Sequence, residues 1–256
     1  DAVTIAQQNP DKEVVFFAIG FETTVPANAS SILQAERLGI RNYSILASQV
    51  MVPPAMHAIL ASPQNRVDGF LAAGHVCAVM GYWQYHPIAE KYRTPIVVTG
   101  FEPVDLLHGI LMTIRQLENH QHIVENAYTR IVTEEGNQVA QKIINTVFEP
   151  CDRNWRGIGM IPDSGLRLRE AYAAFDAEKR FNLSHITTRE NEICIAGEIL
   201  QGLKKPVDCP AFGSLCIPNL PLGAPMVSAE GSCNAYFRFS QPKHRERKHG
   251  QIHASI

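Results

Sequence analysis

Four of the chain's six cysteines fall in one stretch, Cys194 to Cys233, separated by 14, 6 and 16 residues. Thiolates spaced in this way converge only if the connecting chain folds back on itself. Gly202, Pro206, Pro210, Gly213, Pro218, Pro221, Gly223 and Pro225 supply the bends, each restricting or freeing the backbone where a regular element would run straight. Three kinds of chemistry use four such cysteines: an iron–sulfur cluster, a four-thiolate zinc site, and a pair of disulfides. Disulfides need an oxidising compartment, and nothing else in the chain points to secretion. Zinc sites usually show paired knuckles of closely spaced cysteines, which this stretch lacks. Clusters tolerate wider spacing and often have Pro close after a ligand, as in Cys209-Pro210 and Cys216-Ile217-Pro218. The spacing fits a cluster best and leaves zinc, or no metal, open.

A second set of candidates repeats a three-residue word. Gly20-Phe21-Glu22 follows the apolar run 14–19, and Gly100-Phe101-Glu102 follows the run 96–98; Pro26 and Pro103 then open helical stretches. In an open α/β sheet the carboxyl ends of the strands line the ligand crevice, so Glu22 and Glu102 could face one cleft. Equally, both could sit at helix starts only because the macrodipole favours acids there. His75, after the run 69–72, adds an imidazole to the same rim. Cys77 and Cys151 stand apart from the cluster of thiols and read as small buried hydrophobes.

The elements that position these residues alternate. The runs 14–19, 43–47, 69–72 and 96–98 are short, apolar and rich in β-branched or aromatic residues, as strands buried on both faces are. Between and after them, stretches 27–39, 53–61, 84–92 and 104–118 have helical periodicity. The order is βαβαβαβ, a doubly wound parallel sheet built from βα repeats. Residues 123–134 then read as a strand, 135–148 as a helix, 156–161 as a strand, 163–165 as a turn and 166–180 as a helix, which is part of a second α/β domain. The expected organisation is therefore an α/β domain over 1–118, a partial second α/β domain over 119–181, a mostly helical and loop cysteine domain over 182–239, and a basic, disordered tail over 240–256.

Composition excludes several functions. With 45% hydrophobic and 19% charged residues and a net charge of −2, the chain has no electrostatic case for nucleic acid or an anionic membrane surface. No apolar run reaches the roughly 20 residues of a membrane span. A cytoplasmic location follows, and it permits reduced thiols. Dinucleotide, Walker and α/β-hydrolase fingerprints are absent.

The segments AIGFETTVPANA (18–29), GHVCAVMG (74–81), VVTGFEPVDLLHGI (97–110) and 126–181, with the words GEILQG, CPAFG and MVSAEG around the cysteines, resemble the HypD family of hydrogenase maturation proteins over nearly all of 1–239. The resemblance implies an assembly factor for [NiFe] hydrogenase with two α/β domains and a third, [4Fe-4S]-bearing domain. It makes Cys194, Cys209, Cys216 and Cys233 the cluster ligands, and places Glu22, Thr23, Thr24 and His75 near the cleft where iron destined for the Fe(CN)2CO unit is handled. Implied partners are a HypC-like small chaperone and a HypE-like cyanide donor. The role is a redox-active maturation scaffold more than a turnover enzyme. The family's chain begins well upstream, with an iron-binding Cys and a CGPGCPVC dithiol, so this one resembles an N-terminally truncated member. Cys77 is then the one plausible substitute iron ligand. Ala73 also replaces the usual Pro before Gly-His-Val, and Pro225 stands where a small residue or Cys is common. Two other readings use the same residues: an α/β enzyme with a structural four-cysteine zinc site and Glu22, Glu102 and His75 as acid–base groups, or a pure interaction module.

Overall fold

The computed structural model describes residues 1–186 and 191–240; nearly all of the expected basic tail lies outside them. The chain divides into two compact units, residues 1–61, 67–153 and 161–187 forming one, and 62–66, 154–160 and 188–256 the other.

In the first unit the apolar runs become strands where expected. After helix α1 (Ala2–Gln8), β1 (Val14–Gly20) and β2 (Tyr43–Gln49) pair in parallel, from Val14 opposite Tyr43 to Gly20 opposite Gln49, linked by α2 (Val25–Arg37). Helix α2 buries Val25, Ala29, Ile32 and Ala35, positions three or four apart that form one stripe. Ala18, Tyr43 and Ile45 from the strands join that core. Helix α3 (Val52–Leu60) leads to β3 (Phe70–Ala73), α4 (Gly74–Met80) and α5 (His86–Tyr92). Then come β4 (Ile96–Thr99), α6 (Pro103–Glu118) and β5 (Val124–Asn126). Strands β3, β4 and β5 form a second parallel sheet with β4 central and every residue of β4 buried. Gly109 lets α6 lie close on this sheet, since a Cβ there would sit 3.0 Å from the Thr99 Cβ.

The four strands expected in a single doubly wound sheet are thus shared between two, and the cause is non-local. The free edge of β2 is taken by the later segment 164–176 rather than by β3: Ile45 bridges Asp176, Val50 bridges Gly165, and the Met51 N–H donates to the Ser164 carbonyl at 2.8 Å. What stands is a mixed α/β architecture with parallel sheets. Burial on both faces holds for β4 but not for β1, whose Val15, Phe17 and Ile19 are exposed along one face.

Beyond residue 118 the fold departs further from expectation. Only 124–126 of the run 123–134 is a strand. Helix α7 (Gln138–Val147) forms where expected, its Asn137 cap accepting from the Ala140 N–H at 3.0 Å. The paired strands β6 (Phe148–Trp155) and β7 (Gly159–Leu168) replace the single strand expected over 156–161. Instead of one helix over 166–180 there is a short 3₁₀ stretch, 170–175, and α8 (Ala177–Arg180).

The two faces of β1 respond differently to substitution. Phe17 is 56% exposed and Ala18 fully buried. Phe17→Lys is expected to change unfolding stability by no more than about 0.5 kcal/mol, whereas Ala18→Leu should cost about 1–3 kcal/mol through overpacking. Urea unfolding of both variants checks this, and equal effects would contradict the facing assigned to the strand.

Candidate functional site

The cysteine segment has little regular structure, and each thiol is fixed by a local device. Cys194 precedes helix α9 (Ala196–Leu200). Cys209 ends a 3₁₀ turn, 206–208, in which Asp208 accepts from the Lys205 N–H at 2.8 Å. Cys216 closes a tight turn: its N–H donates to Ala211 at 2.8 Å, and its carbonyl accepts from Gly213, whose φ of +71° suits glycine. Helix α10 (Ala224–Val227) and α11 (Ser232–Phe239) complete the unit, with Cys233 in the first turn of α11 and Asn234 donating to the Met226 carbonyl at 2.9 Å.

These devices bring all four thiols to the wall of one small apolar cavity, shared with Ile195, Ile199, Phe212 and Met226. Cys209, Cys216 and Cys233 are buried, and Cys194 is half-buried. All six cysteines of the chain are free thiols, so the disulfide reading has no support in the geometry. Gly223 belongs to the same cavity, and a Cβ there would overlap the Cys194 sulfur. Among the described residues, no three or more His, Cys, Asp or Glu side chains are grouped so as to hold a metal ion.

The electrostatics of this space oppose uncompensated thiolates. Burial pushes the Cys233 thiol up to about 11, with Cys216, Cys194 and Cys209 adding to the rise, and burial raises Cys194 too. The Leu222 N–H donates to the Cys216 sulfur at 3.3 Å, while the Ala196 N–H and the Arg156 charge favour the Cys194 thiolate. Four charged sulfurs here require a cationic centre to balance them.

The other candidates separate. Glu22 lies 2% exposed in the first unit, its Oε1 accepting from the Val52 N–H at 2.8 Å and its Oε2 unpartnered. Desolvation lifts its carboxyl from 4.5 to about 7, and its charge in turn adds to the rise that burial imposes on Cys77 and Tyr85. Thr23 and Thr24 are exposed; the Thr24 hydroxyl donates to the Phe21 carbonyl at 3.1 Å, and Thr24 is what a Cβ on Gly20 would strike. Exposed Glu102 caps α6 in extended conformation, 3.8 Å from Arg130. His75 stacks on Phe101 at 4.6 Å. The structure therefore brings His75 to the Glu102 turn, on adjacent strands of one sheet. Glu22 ends a strand of the other sheet, and no hydrogen bond or ion pair joins the two glutamates among the described residues.

Cys77 is fully buried, with its thiol pushed up to about 12 by desolvation. It packs in a core cluster of the first unit, as a small buried hydrophobe does. Unforeseen in the sequence were the buried Gln49, with both side-chain polar atoms unpartnered, and the Asp105–Arg130 pair, whose two hydrogen bonds of 2.8 and 2.5 Å hold residue 130 to the start of α6. Gly-Phe-Glu followed by Pro-Val-Asp carried a signal for the second, because an acid in the first helical turn attracts a cation as well as the dipole.

The family model described as "Hydrogenase formation hypA family", HypD, matches residues 1–240. The chain belongs to the HypD family. It is 48% identical over 249 residues to the hydrogenase expression/formation protein HupD of Azotobacter chroococcum mcd 1, covering 95% of this chain and 66% of that protein. The hydrogenase maturation factor HypD of Azotobacter vinelandii is 47% identical over 249 residues, again 95% and 66%. That of Escherichia coli K12 is 41% identical over 244 residues, 94% and 65%. The chain thus spans about two thirds of the length of the curated relatives it matches. No helix among the described residues is long and apolar enough to cross a membrane.

Glu22 makes a pH-dependent contribution to stability. Its folded value of about 7 lies above the ordinary 4.5, so the folded state holds a proton that the unfolded chain releases between the two. The associated stability is complete below about pH 4.5 and is lost as pH rises through about 7, by an amount on the order of 3 kcal/mol. Glu22→Gln keeps an acceptor for Val52 and removes the charge. Urea unfolding at pH 5 and pH 8 should show a loss in the unmodified chain that is absent in the variant; parallel losses would show that Glu22 ionises freely.

Proposed function

We propose that this chain is part of an assembly factor for the Fe(CN)2CO centre of [NiFe] hydrogenase, and that Cys194, Cys209, Cys216 and Cys233 hold a [4Fe-4S] cluster. The observation that carries this reading is the convergence of four free thiols on one apolar cavity in a chain whose relatives are named hydrogenase maturation factors.

The residues present fit such a group. A cluster with one thiolate per iron asks its ligands to surround a body, where zinc asks them to meet at a point. Gly223 leaves room beside the Cys194 sulfur that a Cβ at that position would fill. Thiols raised by burial become thiolates in exchange for metal charge, with the Leu222 N–H ready to donate to one of them. Ile195, Ile199, Phe212 and Met226 give the cavity apolar walls beside the sulfurs. When bound, the cluster supplies one-electron redox chemistry.

In the full family protein, two α/β domains and this cysteine unit make one molecule. The cyanide donor is HypE-like, the small chaperone HypC-like, and the setting cytoplasmic. Glu22, Thr23, Thr24, His75 and Glu102 are the cleft residues of that molecule. Glu22, buried with one free oxygen, is suited to exchanging a proton near neutral pH. His75 and Glu102 are suited to meeting a ligand at the sheet rim.

Anaerobic iron, sulfide and zinc analysis tests the proposal. About four irons and four sulfides per chain are expected, in a brown protein. Alanine at any one of the four cysteines should remove most of the iron, while Cys77→Ala and Cys151→Ala leave it unchanged. Stoichiometric zinc, or iron that survives Cys209→Ala and disappears with Cys77→Ala, would overturn the assignment.

A further inference from the structure

The turn 156–158 between β6 and β7 comes from a part of the sequence remote from the cysteines, yet it packs with them in the second unit. Gly157 has φ of +85°, and a Cβ on it would lie 3.0 Å from both the Ala196 Cβ and the Gly197 N. A Cβ on Gly197 would in turn overlap the Gly157 carbonyl. Two glycines therefore let the turn lie backbone to backbone on the start of α9, just beyond Cys194.

That close approach delivers a charge. The Arg156 Nη2 donates to the Leu222 carbonyl at 2.9 Å, and the N–H of the same Leu222 donates to the Cys216 sulfur at 3.3 Å. Arg156 also lines a second, small cavity together with Cys194, Leu222 and Gly223. Cys194, Ala196 and Gly223 line both cavities. Among the described residues that line either cavity, Arg156 is the one cation.

We propose that Arg156 is a positioning residue for the centre held by Cys194, Cys209, Cys216 and Cys233: its charge raises the reduction potential of that centre, and the 156–158 turn shields Cys194 from solvent. This inference rests on the cluster reading. Reduction adds one negative charge to the centre, so a fixed neighbouring cation favours the reduced form over the oxidised one. Its anchorage to Leu222 holds that cation beside the peptide that already donates to Cys216. Because the guanidinium is exposed, the effect is partly screened and shrinks with added salt.

The test uses the whole chain, purified anaerobically, with Arg156→Gln, Arg156→Lys and Gly157→Val. Arg156→Gln keeps an N–H donor for Leu222 and removes the charge. It is expected to lower the midpoint potential in an equilibrium redox titration, with iron content unchanged and the shift diminishing in high salt. Arg156→Lys should restore the potential, which a purely structural role would not predict. Gly157→Val, which forces the turn off α9, should speed removal of iron by a chelator. An unchanged potential in Arg156→Gln at full iron content, or an equal shift in Arg156→Lys, overturns this inference and leaves the cluster reading standing. A chain that binds no iron and sulfide overturns both.

Discussion

Sulfur packed beside sulfur in an apolar space resists ionisation, and each thiolate formed makes the next one harder to form. The second unit is organised under that constraint. With only short helices and turns, the segment cannot hold four cysteines in place by regular hydrogen bonding. It uses a capped 3₁₀ turn before Cys209, a left-handed glycine before Cys216, and the N-terminus of α11 at Cys233. The hydrophobic core of this unit is built from three of the cysteines themselves, with Ala211 and Met226. A centre that balanced charge on the thiols would therefore also complete the core, and its binding would be coupled to folding of this unit.

The first unit meets a related constraint with oxygen in place of sulfur. Glu22 is desolvated with one hydrogen bond to a backbone N–H and one oxygen bare; it stays buried because neutrality near pH 7 is within its reach. Its counterpart Glu102 is solvated beside Arg130. The same three-residue word thus yields a proton-holding interior acid at one strand end and a solvated surface acid at a helix start at the other.

This divergence marks how far the sequence could be read. The positions of β1, β2, β3 and β4 come from short apolar runs, a local property. So do the helices between them and the convergence of the cysteines, which the density of Gly and Pro made visible. The fate of the two glutamates depends on their C-terminal neighbours. Pro103 directly after Glu102 starts the helix at once and leaves Glu102 as its extended cap. Thr23 and Thr24 delay the helix after Glu22, so that its side chain turns inward to Val52. The split into two sheets was illegible because it is decided by residues 164–176 occupying the edge of β2. Nothing near β2 announces it. The approach of Arg156 to the cysteines was hidden for the same reason, since no local pattern links a strand turn to a helix start so far along the chain.

The occupied edge of β2 also bears on the order in which the molecule can assemble. Strands β1 and β2 are complete, with their helix, within the first 49 residues, but Val50 finds its partner only at Gly165, and Arg180 reaches back across 139 residues to the Arg41 carbonyl. During synthesis that margin of β2 therefore waits unpaired until residues 164–176 have been made. Contacts of such long range are slow to form and leave apolar strands open to strangers in the interval. For a nascent chain of this family, protection of that margin is a question of timing on the ribosome as much as of final stability.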